Sequence, residues 1–427
     1  MQTEEALSRW IDDHADDLVR LTQDLVRFPT VNPPGEGYLE CAEFVRDRLS
    51  NSGFETQLIR AESADADSEK HPRYNVLARV DGSDSGPTVH FNSHIDVVPT
   101  GVGWSVDPFD GDVKDGKVFG RGTCDMKGGL AASILATEAI RAVYPNHPGS
   151  LEVSATADEE TGGFAGVAWL AARGFLTSKT IDHVIIPEPF SPDRICVGHR
   201  GVWWGEITTY GTIAHGSMPF LGDSALRHMS AVVQAFEEKL FPRLSERTTN
   251  MPVTPSDACR ATLNLATMHA GGDAEEISGV PAPNVPDVCK MIFDRRYLIE
   301  ETSADVKAEI VEVLDDLTQT RPGFRYDLRD LMLVEPLMTP QPSPVVAATQ
   351  AAISSVLGKE ADIVASPGTY DHKHFTRIGG IADCIAYGPG KLEVAHQVDE
   401  YVEIADLVAS AKVMAVSAMT LLNDSND

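Results

Sequence analysis

Short apolar runs alternate with helix-length amphipathic stretches through the first half of this chain, and that alternation narrows the fold more than any other feature. The runs "YNVLARV" (74–80), "TVHFNSHIDVV" (88–98), "LEVSATA" (151–157) and "HVIIP" (183–187) each have the length of a buried strand. Helical patterns lie between several of them, clearest in "MKGGLAASILATEAIRAV" (126–143). Such alternation predicts an α/β fold, a mixed sheet flanked by helices. Upstream, Leu7, Trp10, Ile11, His14, Leu18, Leu21, Leu25 and Phe28 recur at helical spacing, so one amphipathic helix is expected over 4–28, ended by Pro29.

The style then changes. "VWWGEITTYG" (202–211), "ATLNLATM" (261–268), "VCKMIFDRRY" (288–297) and "FRYDLRDLML" (324–333) alternate like half-exposed strands. Helical patterns at 224–240 and 303–317 separate them, the second with Ser303 as its expected cap. The order βαββαβ is that of a ferredoxin-like α+β unit. After Pro336 the first style resumes, with helices expected near 343–357 and from about 399, and a strand at 382–388. The 427 residues exceed one typical core. The expected division is 1–198 as the first part of a larger domain, 199–333 as an inserted domain, and 334–427 as the second part of the larger one.

Charge excludes some partners. With 64 acidic against 35 basic side chains, a net charge of −29 repels nucleic acid and anionic lipid. No apolar run approaches about 18 residues, so no membrane span is expected. The acidic start "MQTEEALSRWIDDHADDLVR" lacks the blocks of a secretory signal, and six cysteines without a CxxC pair fit reduced thiols; a cytoplasmic location is expected.

Chemistry collects where strands are expected to end. In an open α/β sheet, ligand sites gather at the carboxyl ends of strands. "HFNSHIDVVP" (90–99) places His94 and Asp96 two residues apart, so that Asp96 is placed to accept the second N–H of a metal-bound His94. "GRGTCDMKGG" (120–129) sets Asp125 between glycines just before a helix. "ADEETGG" (157–163) carries Glu159 and Glu160, "IIPEPF" (185–190) carries Glu188, and "LEVAHQVDEYV" (392–402) carries His396. Any one of these has an ordinary structural reading: a hydrogen-bonded histidine, a charged loop, a helix start. Together they form a nitrogen and oxygen donor set without cysteine, which suits Zn2+, Mn2+ or Co2+ in a catalytic site.

These segments, in this order from "FPTVNPP" (28–34) to "AHQVDEYV" (395–402), resemble the metal-dependent M20 peptidase and deacylase family. Its acetylornithine deacetylase and succinyl-diaminopimelate desuccinylase branch is the nearest likeness, through "GRGTCDMKGG", "GTIAHGSMP" and "SPGTYDHKHF". The resemblance implies two divalent cations, Zn2+ foremost. It implies His94 and Glu188 on one metal, Glu160 and His396 on the other, and Asp125 bridging them, with a cis peptide after Asp125. Asp96 would orient His94 and Glu159 would be the general base. The larger domain would be catalytic, and the inserted one a lid through which the chain forms a homodimer. His215 would reach an oxyanion across that dimer.

The resemblance also implies substrate contacts from Arg296, Asn284 and Gly368. Strand alternation sends one of Arg295 and Arg296 inward; the motif selects Arg296, whose fork suits a substrate carboxylate. Asp371 and His372 have no assigned role, and Trp203 and Trp204 are read as packing. The expected reaction is hydrolysis of the amide C–N bond of an N-acyl amino acid or related small carboxylate. Histidines and aromatics in "GHRGVWWGE" (198–206) and "TYDHKHF" (369–375) leave an atypical aryl-amine or carbamoyl bond as the alternative. A non-catalytic binding protein is the remote one, and would have lost a ligand or the base.

Overall fold

The computed structural model describes residues 2–271 and 283–424. The chain forms two compact units. One comprises Met1–Gly198, Thr339–Val364 and Tyr370–Asp427; the other comprises His199–Met338 and Ala365–Thr369.

The first unit is built on strands β1 (Glu55–Arg60), β2 (Tyr74–Asp81), β3 (Asp84–His94), β4 (Pro148–Thr156), β5 (His183–Ile186), β6 (Arg194–His199) and β7 (Cys384–Ala386). They lie in the order β1-β2-β4-β3-β5-β7-β6. The central pairs β4/β3, β3/β5 and β5/β7 are parallel. The outer pairs β1/β2, β2/β4 and β7/β6 are antiparallel, so the sheet is mixed, as expected. Parallel strands need cover on both faces, which is why their sequences read as unbroken apolar runs. Helix Gly128–Val143, buried from Gly128 through Ile140, supplies part of that cover. Helices Pro344–Leu357 and Ile404–Leu422 share its core. Ile404–Leu422 is long and apolar enough to cross a membrane by length and composition alone, but 61% of its apolar window is buried inside the protein, as in a core helix.

The amphipathic pattern near the start makes two helices, Gln2–Asp13 and Ala15–Val26, where one was expected. The break falls at His14, whose φ of −111° leaves the helical region. Its ring stacks on Trp10 at 3.8 Å and Nδ1 lies 2.7 Å from the Trp10 carbonyl, which anchors the turn locally.

The second unit is a four-stranded sheet in the order Thr262–Ala270, Val288–Tyr297, Gly201–Tyr210, Tyr326–Val334. Every pairing is antiparallel, and helices Ala225–Ala235 and Ser303–Thr320 complete the βαββαβ order. The cap of Ser303–Thr320 is Thr302 rather than Ser303: Thr302 is extended and its Oγ1 accepts from the Asp305 N–H at 3.1 Å. Trp203 is fully buried in this unit's core, edge-on to Phe293 at 4.9 Å, with Nε1 donating to Asp330 at 2.8 Å; Trp204 faces outward.

Candidate active site

Adjacent parallel strands end on the same edge of a sheet, so the residues that follow them are gathered there. His94 closes β3 opposite Thr156, the last residue of β4. Glu159 and Glu160 open the turn Glu159–Thr161 just beyond β4. Glu188 lies two residues past β5, and His396 lies in the segment after β7. Asp125 arrives from a different element, the turn Thr123–Lys127 that feeds the helix Gly128–Val143. The Asp125–Met126 peptide is cis.

The side chains converge. His94 Nε2 is 3.0 Å from Asp125 Oδ1 and 4.0 Å from Glu188 Oε1. His396 Nε2 is 3.4 Å from Asp125 Oδ2 and 3.1 Å from Glu160 Oε2. Asp125 thus offers one oxygen to each histidine, and each histidine has a glutamate of its own. Ligand atoms of His94, Asp125 and Glu160 all lie within 4.8 Å of one another. His396 holds a left-handed φ of 63°, a conformation costly for histidine that the surroundings must enforce.

Packing three carboxylates together under cover is unfavourable unless cations accompany them. Burial pushes Glu160 up to about 7 and Glu188 well above the usual carboxylate range. For Asp125 burial acts the same way, but hydrogen bonds from His396 and His94 outweigh it and hold the group down. Hydrogen bonds to Asp125 and Glu160 raise His396 to about 11. Two imidazoles and three carboxylates with no thiolate fit divalent cations of the zinc type.

The sequence profile of Peptidase family M20/M25/M40 matches residues 90–420. The chain belongs to this family. It is a metal-dependent amidohydrolase. A succinyl-diaminopimelate desuccinylase from Thioalkalivibrio sulfidiphilus is 30% identical over 407 residues, 93% of this chain and 96% of that protein. Among solved structures, the di-peptidase Dug1p of Saccharomyces cerevisiae superposes with a TM-score of 0.79 at 17% identity, covering 100% of both chains. YXEP of Bacillus subtilis, described as a dinuclear metal binding peptidase of the M20 family, gives 0.67 at 15% identity over 96% of this chain and 99% of that one.

Asp96 is placed differently from the expected pairing. β3 ends at His94, so the two residues do not share a strand face. The His94 Nδ1 contact is to the Asp96 main-chain carbonyl at 2.9 Å, while the carboxylate stands 3.7 Å away. That carboxylate instead accepts the main-chain N–H groups of Glu159 and Glu160, each at 3.1 Å, and Asn32 Nδ2 at 3.0 Å. It therefore fixes the turn that carries both glutamates.

Other buried carboxylates support the site, and Glu400 carries no signal of its own in the sequence. Glu400 is buried and Oε1 accepts the N–H groups of Gly122, Cys124 and Asp125 at 3.0, 2.9 and 3.1 Å, while Oε2 pairs with buried Arg121. It stands inside "AHQVDEYV", a segment singled out for His396 alone. Asp158, at a left-handed φ of 73°, is held by Arg73 at 3.3 Å and Asn32 at 3.2 Å.

The remaining expected residues belong to the second unit. An antiparallel bridge pairs Ala214 with Val285, which sets His215 opposite Asn284. Both are exposed. His215 Nδ1 accepts the Ser217 N–H at 3.1 Å, so the ring proton sits on Nε2, leaving a donor. Of the paired arginines it is Arg295, not Arg296 as expected, that strand alternation turns inward: it enters the core and binds Glu301 at 2.7 Å. Arg296 lies on the other face of its strand, held by Asp294 through contacts of 2.8 and 3.0 Å. Gly368 donates its N–H to Ser366 Oγ at 3.1 Å, and a Cβ there would meet nothing closer than 3.7 Å.

Proposed function

We propose that this M20 hydrolase cleaves the amide bond of an N-acyl amino acid or a similar small carboxylate-bearing amide. Two divalent cations serve it, Zn2+ first and Mn2+ or Co2+ as alternatives. The observation that carries this reading is Asp125 shared between two histidine–glutamate pairs, with Glu159 next to one of them. The Thioalkalivibrio relative, whose name denotes removal of a succinyl group, supports an acylated amine as substrate.

His94 and Glu188 would hold one cation, His396 and Glu160 the other, and Asp125 both. Cations bound there acidify water and polarise the amide carbonyl. Glu159 takes the proton of the attacking water and passes it to the leaving nitrogen as the C–N bond breaks, giving a free acid and a free amine. The His215 Nε2–H is suited to the carbonyl oxygen as negative charge develops on it. Arg296, with Asn284 and Gly368, would grip the substrate carboxylate.

A homodimer would supply His215 from the partner subunit. In support, Ile213, Met218, Phe220 and Leu221 flank His215 and are all exposed, Phe220 by 79%. An apolar loop of this kind suits burial by a second copy. Six cysteines with no disulfide among the described residues, five of them buried, fit a reducing cytoplasm.

The test is release of free amine from N-acetyl, N-succinyl, N-formyl and aryl amides, joined to metal analysis of two variants. Glu159→Ala should keep its metal and lose at least about 100-fold in kcat, the scale of a general base. Asp125→Ala should lose both metal and turnover. Turnover retained by Glu159→Ala rejects its role as base.

A further inference from the structure

The short helix His372–Arg377 presses on the turn that carries Glu159. His374 Nε2 lies 2.7 Å from the Gly162 carbonyl, and a Cβ on Gly163 would stand 2.5 Å from Asp371 Oδ1. Within this contact Lys373 is 3% exposed, and its Nζ makes no hydrogen bond among the described residues. A buried ammonium needs a negative partner. Glu159 Oε1 stands 3.6 Å from Nζ. Asp371, two residues before Lys373 at the start of this helix, is also buried; Oδ2 accepts from Asn92 at 3.1 Å and Oδ1 has no hydrogen-bond partner among the described residues.

We propose that Lys373 is a positioning residue for Glu159, a buried ammonium that fixes one carboxylate oxygen of the general base and leaves the other to take the proton. The proposal rests on Glu159 being the base. Glu159 is then held at both ends. Its main-chain N–H donates to Asp96 Oδ1 at 3.1 Å, and its tip is drawn toward Lys373. A base so held needs no reorientation when the water arrives, and correct orientation is worth orders of magnitude in rate.

The experiment uses the full-length, metal-loaded enzyme with whichever amide it hydrolyses. Lys373→Met should lower kcat at least tenfold with KM within twofold and with wild-type metal content. Lys373→Arg should recover most of kcat. In the Glu159→Ala background Lys373→Met should cost nothing further, because its effect passes through that carboxylate. Lys373→Gln serves if the methionine variant does not fold, with the same loss expected. Wild-type kcat in Lys373→Met overturns the proposal, as does a loss that tracks lost metal in both variants, which marks a purely structural lysine. If Glu159→Ala itself stays active, the reading of the base fails, whatever Lys373 does.

Discussion

Glu400 accepts three main-chain N–H groups and an ion pair from a single loop, so the position of Asp125 depends on one buried carboxylate. Replacing it by glutamine keeps an acceptor but leaves Arg121 as a buried charge without its counter-ion. Loss of one partner of a buried pair costs about 3–5 kcal/mol. Glu400→Gln is therefore expected to lower the denaturation midpoint and to weaken metal binding, read by urea unfolding and metal titration; a variant with both unchanged would show that the loop holds itself. Residues of this kind were not legible beforehand. His94, Asp125, Glu160, Glu188 and His396 stand out because polar groups interrupt apolar strand ends or glycine turns. Glu400 and Lys373 sit among ordinary polar neighbours, and only the folded chain reveals that they are buried.

At the scale of elements, the strands were legible because burial on both faces leaves an unbroken apolar signature, while their ends were not. β3 stops at His94, four residues short of its apolar run: the Ile95 N–H makes the last bond to β4, at Thr156, and the Val97 N–H then turns away to Thr30. That early stop separates Asp96 from the His94 face and turns its carboxylate toward the Glu159 turn. Helix Gly128–Val143 shows the same dependence on close approach. A Cβ on Gly129 would come 2.0 Å from the Pro187 carbonyl, beside Glu188. Gly129→Ala must push the helix start away from the end of β5, a form of overpacking that costs about 1–3 kcal/mol. Since Asp125 and Glu188 lie on the two sides of this contact, metal affinity should fall with stability. A calorimetric scan with and without added Zn2+ reads both, and an unaltered scan would mean that the two elements shift without cost.

At the scale of the whole molecule, the fold class was readable from the change in period between two styles of patterning. A homodimer was expected from the family resemblance alone, because in the patterning the apolar loop around His215 reads as any loop until its exposure is known. Four large apolar side chains flank that histidine in the open, and the ring proton on Nε2 has no acceptor fixed by its own loop, where Ser217 engages Nδ1 alone. A histidine that serves a second copy makes a prediction that one serving its own chain does not. Glu159→Ala and His215→Ala are each expected to be inactive alone. Mixed and allowed to exchange subunits, half of the dimers would carry one of each, and each such dimer would own one site with both residues intact. Activity should then return to roughly a quarter of wild type, the value that random pairing in a two-fold dimer sets. Recovery should rise with exchange time and vanish if the dimers are cross-linked before mixing. If His215 acted within its own chain, neither subunit of a mixed dimer would hold a complete set, and no exchange time would restore turnover.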